Sequence, residues 1–140
     1  MAEIKKAQRL IPKPNPYIYT QPFWDGAKQG KLLLQYDPET GKFQHYPRPI
    51  SLYTGKRNLV WREVSGRGKV YAYTVIRTLV QGFEDRIPYV VATIELAEGV
   101  RILGNILNCS PEEVKIGMPV KLCWEKISDE IMYPAFELDR

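Results

Sequence analysis

Two short segments, Asp37-Pro-Glu-Thr40-Gly41-Lys42 and Ser51-Leu-Tyr-Thr54-Gly55-Lys56, repeat one arrangement fourteen residues apart. Each carries an oxygen-bearing side chain, a second one three residues on, and then glycine. Glycine takes positive φ without steric cost, so both segments read as tight turns. Two donor side chains on such a turn can grip one side of a tetrahedral metal, and a second turn facing the first completes the site. A metal held that way wants thiolates or imidazoles. Asp37, Thr40, Ser51 and Thr54 offer one carboxylate and three neutral hydroxyls, which supply neither the charge nor the softness that zinc favours. The pair therefore reads as two knuckles without a metal.

Little else in the chain has the makings of a catalytic set. His45 is the sole histidine, and it sits in a loop with no nucleophile beside it, so general-base work is not expected of it. Cys109 and Cys123 are the two cysteines; they form neither a CxxC pair nor a disulfide framework and read as small buried hydrophobes with inert thiols. The stretch Ser65-Gly-Arg-Gly-Lys69 is rich in glycine and charge but lacks the spacing of a phosphate-binding loop, so a β-turn is expected there. Catalysis by this chain alone is not indicated.

The elements that position these residues follow from the wider pattern. A chain of 140 residues suits one domain or a small domain with an appended module, and 44% hydrophobic with 26% charged residues suits a soluble fold. No apolar run approaches the roughly 20 residues needed to span a bilayer. The start has lysines without an apolar core or cleavage site, so a cytoplasmic location is expected. Residues 1–61 hold ten Lys or Arg and four Asp or Glu, a balance of +6, and residues 62–140 hold ten and twelve, a balance of −2, which together give the net +4. The positive charge belongs to the front half.

Residues 1–17, with three prolines, read as an extended arm. Thr20 as cap, Pro22 in the first turn and Gly30 as terminator predict a short helix over "QPFWDGAKQ". "KLLLQY" and "NLVWREV" read as strands on either side of the paired turns. In "GKVYAYTVIRTLV" strict alternation puts Tyr71, Tyr73 and Val75 on one face and Val70, Ala72, Thr74 and Ile76 on the other. "YVVATIEL" and "VRILGNIL" complete a meander through the turn at Glu98-Gly99. Ser110, Pro111 and Glu113 carry the signature of one short helical turn, and "PVKLCWEKI" and "YPAFEL" are the last strands. The fold class is mainly β: an arm and helix over 1–31, a ribbon hairpin over 32–61, and a five-stranded OB barrel over 62–140.

Nearly the whole chain carries a family resemblance. "QPFWDGAKQGKLLLQ", "YPRP", "VSGRGKVYAYTVI", "PYVVATIELAEGVRILGNI" and "IGMPVKL" together resemble the acyl-CoA-associated OB-fold proteins with an N-terminal rubredoxin-like zinc ribbon, catalogued as domain of unknown function 35. That resemblance implies a helix, a four-cysteine ribbon and a barrel, and a role as partner subunit of thiolases, aldolases or acyltransferases. The departure lies at the ribbon, where Asp37, Thr40, Ser51 and Thr54 stand at the cysteine positions. The zinc is read as lost, with Phe43, Tyr46, Tyr53 and Trp61 as apolar replacements for it.

The resemblance implies a non-catalytic accessory subunit of a thiolase-like complex in lipid metabolism, with a thiolase-fold enzyme as hetero-oligomeric partner. A coenzyme A thioester is a candidate ligand at the boundary. Phe23, Trp24, Lys28, His45 and Arg48 are the residues expected to touch partner or CoA. Phe23 and Trp24 point about 100° apart on a helix, so one ring is expected to stay exposed for another chain. Arg48 lies between prolines that stiffen its backbone. The alternative is a single-stranded nucleic-acid-binding OB protein, suggested by a basic pI near 9.0 and by Tyr71 and Tyr73. The −2 balance of the barrel half argues against it.

Overall fold

The computed structural model describes residues 14–127 and 129–140. Among them lie one helix, α1 (Gln21–Lys28), and eight strands: β1 (Leu33–Asp37), β2 (Lys42–Gln44), β3 (Val60–Glu63), β4 (Arg67–Ile76), β5 (Tyr89–Leu96), β6 (Arg101–Leu107), β7 (Pro119–Lys126) and β8 (Met132–Leu138). A 3-10 turn at Pro111–Glu113 joins β6 to β7. Most of the arm expected over residues 1–17 lies outside the described residues.

Helix α1 stops where expected, with Gly30 at φ 70°. Its start differs from expectation. The Thr20 hydroxyl accepts from the Tyr17 N–H at 3.1 Å, so it closes the preceding turn rather than capping the helix. Phe23, Gly26 and Ala27 form the buried face. A Cβ on Gly26 would come within 2.7 Å of the Leu33 side chain, and this close approach seats the helix on β1.

β1 is the centre of a three-stranded antiparallel sheet ordered β2-β1-β3, in which Gln35 faces Gln44 on one side and Trp61 on the other. The remaining strands close a barrel in the order β4-β5-β6-β8-β7. β6 and β8 run parallel, and β4 meets β7 to shut the circle. This is the OB barrel that the strand order predicted. β5 alternates cleanly, with Val90, Ala92, Ile94 and Leu96 pointing into the core against Phe136.

β4 corrects the expected alternation. Its register to β5 slips between Val70 and Ala72, so a bulge at Tyr71 breaks the period of two. Val70 is buried and Val75, five residues on, also packs on the core, whereas Ala72 and Thr74 are exposed. Strict alternation would place Val70 and Val75 on opposite faces. The bulge reconciles them and bends the strand around the barrel.

Candidate functional site

The ribbon is built around its two turns. Gly41 and Gly55 both take φ 72°, and their amides donate to the carbonyls of Asp37 and Ser51 at 2.8 and 2.9 Å. The turns face each other, and the Ser51 hydroxyl donates to Asp37 Oδ2 at 2.5 Å. Thr54 Oγ1 donates to the same oxygen at 3.4 Å, and Asn58 Nδ2 to Oδ1 at 3.2 Å. Asp37 and Ser51 are buried, while Thr40 is exposed and offers the cluster its backbone N–H. The Ser51 hydrogen bond foremost, then those from backbone N–H groups and Asn58, hold the Asp37 carboxyl below its ordinary value against the opposing pull of burial.

The expected apolar replacement of the zinc is therefore corrected in part: Phe43 and Trp61 do pack half-buried against the core, but Tyr46 and Tyr53 are exposed, and a charged oxygen cluster joins the knuckles. This donor set does not fit a tetrahedral zinc, because its one carboxylate is already occupied by hydrogen bonds from both turns.

Behind the ribbon lies a cleft of about 580 Å³ between α1, the loop after β2 and the barrel. Trp24 packs edge-on against Tyr133 of β8 at 5.6 Å, and Phe23 lies edge-on to Trp24 at 5.1 Å. Ile102 and Leu103 of β6 and Tyr89 and Val91 of β5 form the barrel wall. Phe83 and Arg86, from the segment joining β4 to β5, make the far rim, where Arg86 is ion-paired with Glu125 of β7.

The ribbon wall consists of His45, Tyr46 and Pro47. It is fixed by two buried amides. Gln35 Nε2 donates to the Arg48 carbonyl at 2.8 Å, and Gln35 Oε1 accepts from the Arg48 N–H at 2.8 Å. Gln44 donates to the Ile50 carbonyl and accepts from the Leu52 N–H. At the other end the Tyr46 hydroxyl accepts from the Leu103 N–H at 3.3 Å and ties the loop to β6.

His45 stacks on Phe23 at 5.7 Å and lies 4.1 Å from the Tyr46 ring. Burial pushes its pKa down to about 4, so the ring is neutral at physiological pH. Its buried Nδ1 has no hydrogen-bond partner among the described residues. A general base needs a group to orient it, and none is bonded to the His45 Nδ1 among the described residues, so His45 serves as a wall residue. The thiols are equally quiet: burial foremost raises Cys109 and lifts Cys123 to about 11.

Three of the five residues singled out in the sequence, Phe23, Trp24 and His45, meet in the cleft. Lys28 and Arg48 stay on the surface outside it. The expectation that one helix aromatic would be left exposed is corrected, since Phe23 is buried and Trp24 half-buried against the barrel. Tyr133, the Arg86–Glu125 pair and the Gln35–Gln44 pair escaped the sequence reading. Only the glutamines left a signal, as uncharged polar residues where β1 and β2 should carry core or surface side chains.

The barrel face with Tyr71 and Tyr73 was the candidate nucleic-acid surface. Arg101 stacks on Tyr71 at 3.6 Å, but Glu95 sits between Lys69 and Arg101, 3.8 and 3.5 Å from their nitrogens. A carboxylate in the middle of the cations opposes a phosphate backbone. Ser65, in the glycine-rich stretch, gives its hydroxyl to the Glu98 carboxylate at 3.1 Å; the β-turn expected there is corrected, since Ser65 and Gly66 lead straight into β4, which begins at Arg67 and pairs with β7.

Comparison with known proteins agrees with this architecture. Residues 24–50 match the rubredoxin-like zinc ribbon domain of ChsH2, and residues 61–125 match the ChsH2 C-terminal OB-fold domain. A DUF35 domain-containing scaffold protein of Pyrococcus furiosus is 34% identical, over 76% of this chain and 79% of its own. A probable enoyl-CoA hydratase alpha subunit of Thermomonospora curvata is 35% identical over 89% of this chain, which spans 39% of that subunit. A 3-oxo-4,17-pregnadiene-20-carboxyl-CoA hydratase alpha subunit of Mycobacterium tuberculosis is 34% identical, and the chain spans 40% of it. Among solved structures, a chain of the Ltp2-ChsH2(DUF35) aldolase superposes with a TM-score of 0.83 at 31% identity, covering 90% of this chain and 98% of that one. A DUF35 protein of unknown function from Sulfolobus solfataricus shares the fold at a TM-score of 0.61 and 20% identity.

Proposed function

We propose that this chain, which belongs to the DUF35 family of OB-fold proteins with a rubredoxin-like ribbon, is a non-catalytic accessory subunit of an acyl-CoA-processing complex. Its partner is a thiolase-fold enzyme: a thiolase, an aldolase or an acyltransferase. The observation that carries this reading is the cleft, which is well formed yet, among the described residues, holds no acid–base pair and no activated nucleophile.

The cleft's chemistry suits the uncharged end of a thioester. Its walls are aromatic and aliphatic, its histidine is neutral, and its two charged residues, Arg86 and Glu125, neutralise each other. A volume of about 580 Å³ lies within the roughly 300–1,000 Å³ usual for small-molecule sites. A CoA phosphate would find no free cation among the described residues of the cleft and would lie outside, where the exposed Lys28 and Arg48 are available to it or to acidic groups of the partner. The relatives named as CoA hydratase alpha subunits support the same class of substrate, and the Ltp2-ChsH2(DUF35) aldolase supports a place in an enzyme assembly.

Co-purification tests the reading. The tagged full chain is expected to retain a thiolase-fold enzyme through washing, to show no acyl-CoA turnover alone, and to restore turnover when added to that enzyme. A chain that turns over acyl-CoA by itself, or that captures single-stranded DNA at physiological salt and no enzyme, would overturn it.

A further inference from the structure

We infer that the Asp37 carboxylate is the cross-link of the ribbon, standing where a zinc ribbon carries its metal, and that it thereby holds the cleft's ribbon wall in place. The argument begins with the backbone. In each knuckle the first side chain accepts hydrogen bonds from the amides two and three residues on: Asp37 Oδ1 from Glu39 and Thr40 at 2.8 and 3.3 Å, and Ser51 Oγ from Tyr53 and Thr54 at 3.1 and 3.4 Å. The two turns are thus the same structure made twice, each closed around one oxygen.

A metal would bridge two such turns by drawing a ligand from each. Here the bridge is the short Ser51-to-Asp37 hydrogen bond, reinforced by Thr54 from the second knuckle and Asn58 beyond it. One anion accepts from both turns and from the strand entry that follows, which is the connectivity of a central ion. Hydrogen bonds to a charged acceptor are shorter and stronger than neutral ones. At the rim Lys56 pairs with Glu39 at 2.9 Å across the same two turns, but both are exposed and such pairs contribute little.

The consequence reaches the cleft. Ser51 directly follows Ile50, and Leu52 directly follows Ser51; these are the two residues whose backbone groups Gln44 holds. Gln44 and Asp37 therefore hold the same end of the segment from His45 to Leu52, through Ile50, Ser51 and Leu52, while Gln35 holds its middle at Arg48. Loosening the carboxylate removes one of the ties on the loop that carries His45, Tyr46 and Pro47.

The test uses the full chain and reads the ribbon apart from the barrel. Metal analysis of the purified protein is expected to find well under one zinc per chain, and hydrogen exchange of residues 37–58 is expected to be unchanged by EDTA. Asp37→Asn is expected to speed exchange of residues 37–58 by roughly 10- to 100-fold, the range set by hydrogen bonds to a charged group, and to leave β5 protected. Ser51→Ala, which removes one donor and keeps the acid, is expected to give a smaller increase in the same segment. The converse variant, Asp37→Cys with Thr40→Cys, Ser51→Cys and Thr54→Cys, is expected to gain about one zinc per chain. About one EDTA-removable zinc in the natural protein would overturn the inference. So would native exchange of the ribbon in both Asp37→Asn and Ser51→Ala, or a four-cysteine chain that folds without taking up zinc.

Discussion

Gln44 Nε2 donates to Gln35 Oε1 at 2.9 Å across the β1–β2 ladder, and both amides are buried. Each also spends its remaining hydrogen-bonding capacity on the backbone of the loop that walls the cleft. Replacing Gln44 with leucine removes the partner of the Leu52 N–H and of the Ile50 carbonyl and sets an apolar group against the buried Gln35 amide. Gln44→Leu is expected to lower the unfolding free energy by about 2 kcal/mol, the usual cost of buried groups left unpaired. Denaturant titration measures the loss, and hydrogen exchange should place the loosening in residues 45–52.

Arg48 tests the surface beside the cleft. Its backbone is held by Gln35, while its side chain is exposed. Arg48→Ala is therefore expected to leave melting within about 0.5 kcal/mol of the natural protein, as surface changes do. Under the proposed function the same variant should weaken complex formation or raise the CoA substrate KM of the complex, measured by titration against the partner enzyme. Unchanged values in both would remove Arg48 from the interface.

Acid should act in two windows. His45 has a folded pKa of about 4 against an ordinary 6.5, so the unfolded chain binds the extra proton first and stability is lost as pH falls from 6.5 to about 4. The loss attributable to His45 is up to about 3 kcal/mol. Asp37 is held below its ordinary 3.8, so its contribution is present above that value and lost only at lower pH. His45→Phe should flatten the first window and leave the second, as read from denaturation midpoints against pH.

Much of this architecture was legible because it rests on local rules. Gly41 and Gly55 announce positive-φ turns whatever surrounds them, and the β5 alternation of Val90, Ala92, Ile94 and Leu96 announces a half-buried strand. The β4 face was misread because a bulge at Tyr71 shifts the period without a residue type that marks it. The cleft was only partly legible. Phe23, Trp24 and His45 stood out by type, but their meeting with Tyr133 and with the Arg86–Glu125 pair depends on barrel closure bringing β8, β7 and the β4–β5 connection to one place. The oxygen cluster was half read: the residues were identified as positions without zinc, but their hydrogen bonding to one another is a matter of side-chain geometry.

Trp24 separates a cleft wall from a docking anchor. Its ring touches Phe23 on its own helix and Tyr133 on the barrel, so it joins α1 to β8 across the cleft. Removing it leaves a void that α1 and the barrel cannot both close, since α1 is already seated on β1 through Gly26. Trp24→Ala is therefore expected to lower the stability of the isolated chain by roughly 3 kcal/mol, the scale of a large-to-small core change. Trp24→Phe, which keeps an aromatic against Tyr133, should recover most of that. The half-buried ring still presents an edge at the cleft, so the proposed partner would feel its loss as well, by about 2 kcal/mol if the ring is fully desolvated in the complex. Melting and partner affinity measured on both variants decide the matter. Recovery of melting by phenylalanine without recovery of binding would make the indole an anchor as well as a wall, whereas parallel recovery of both would make it a wall alone.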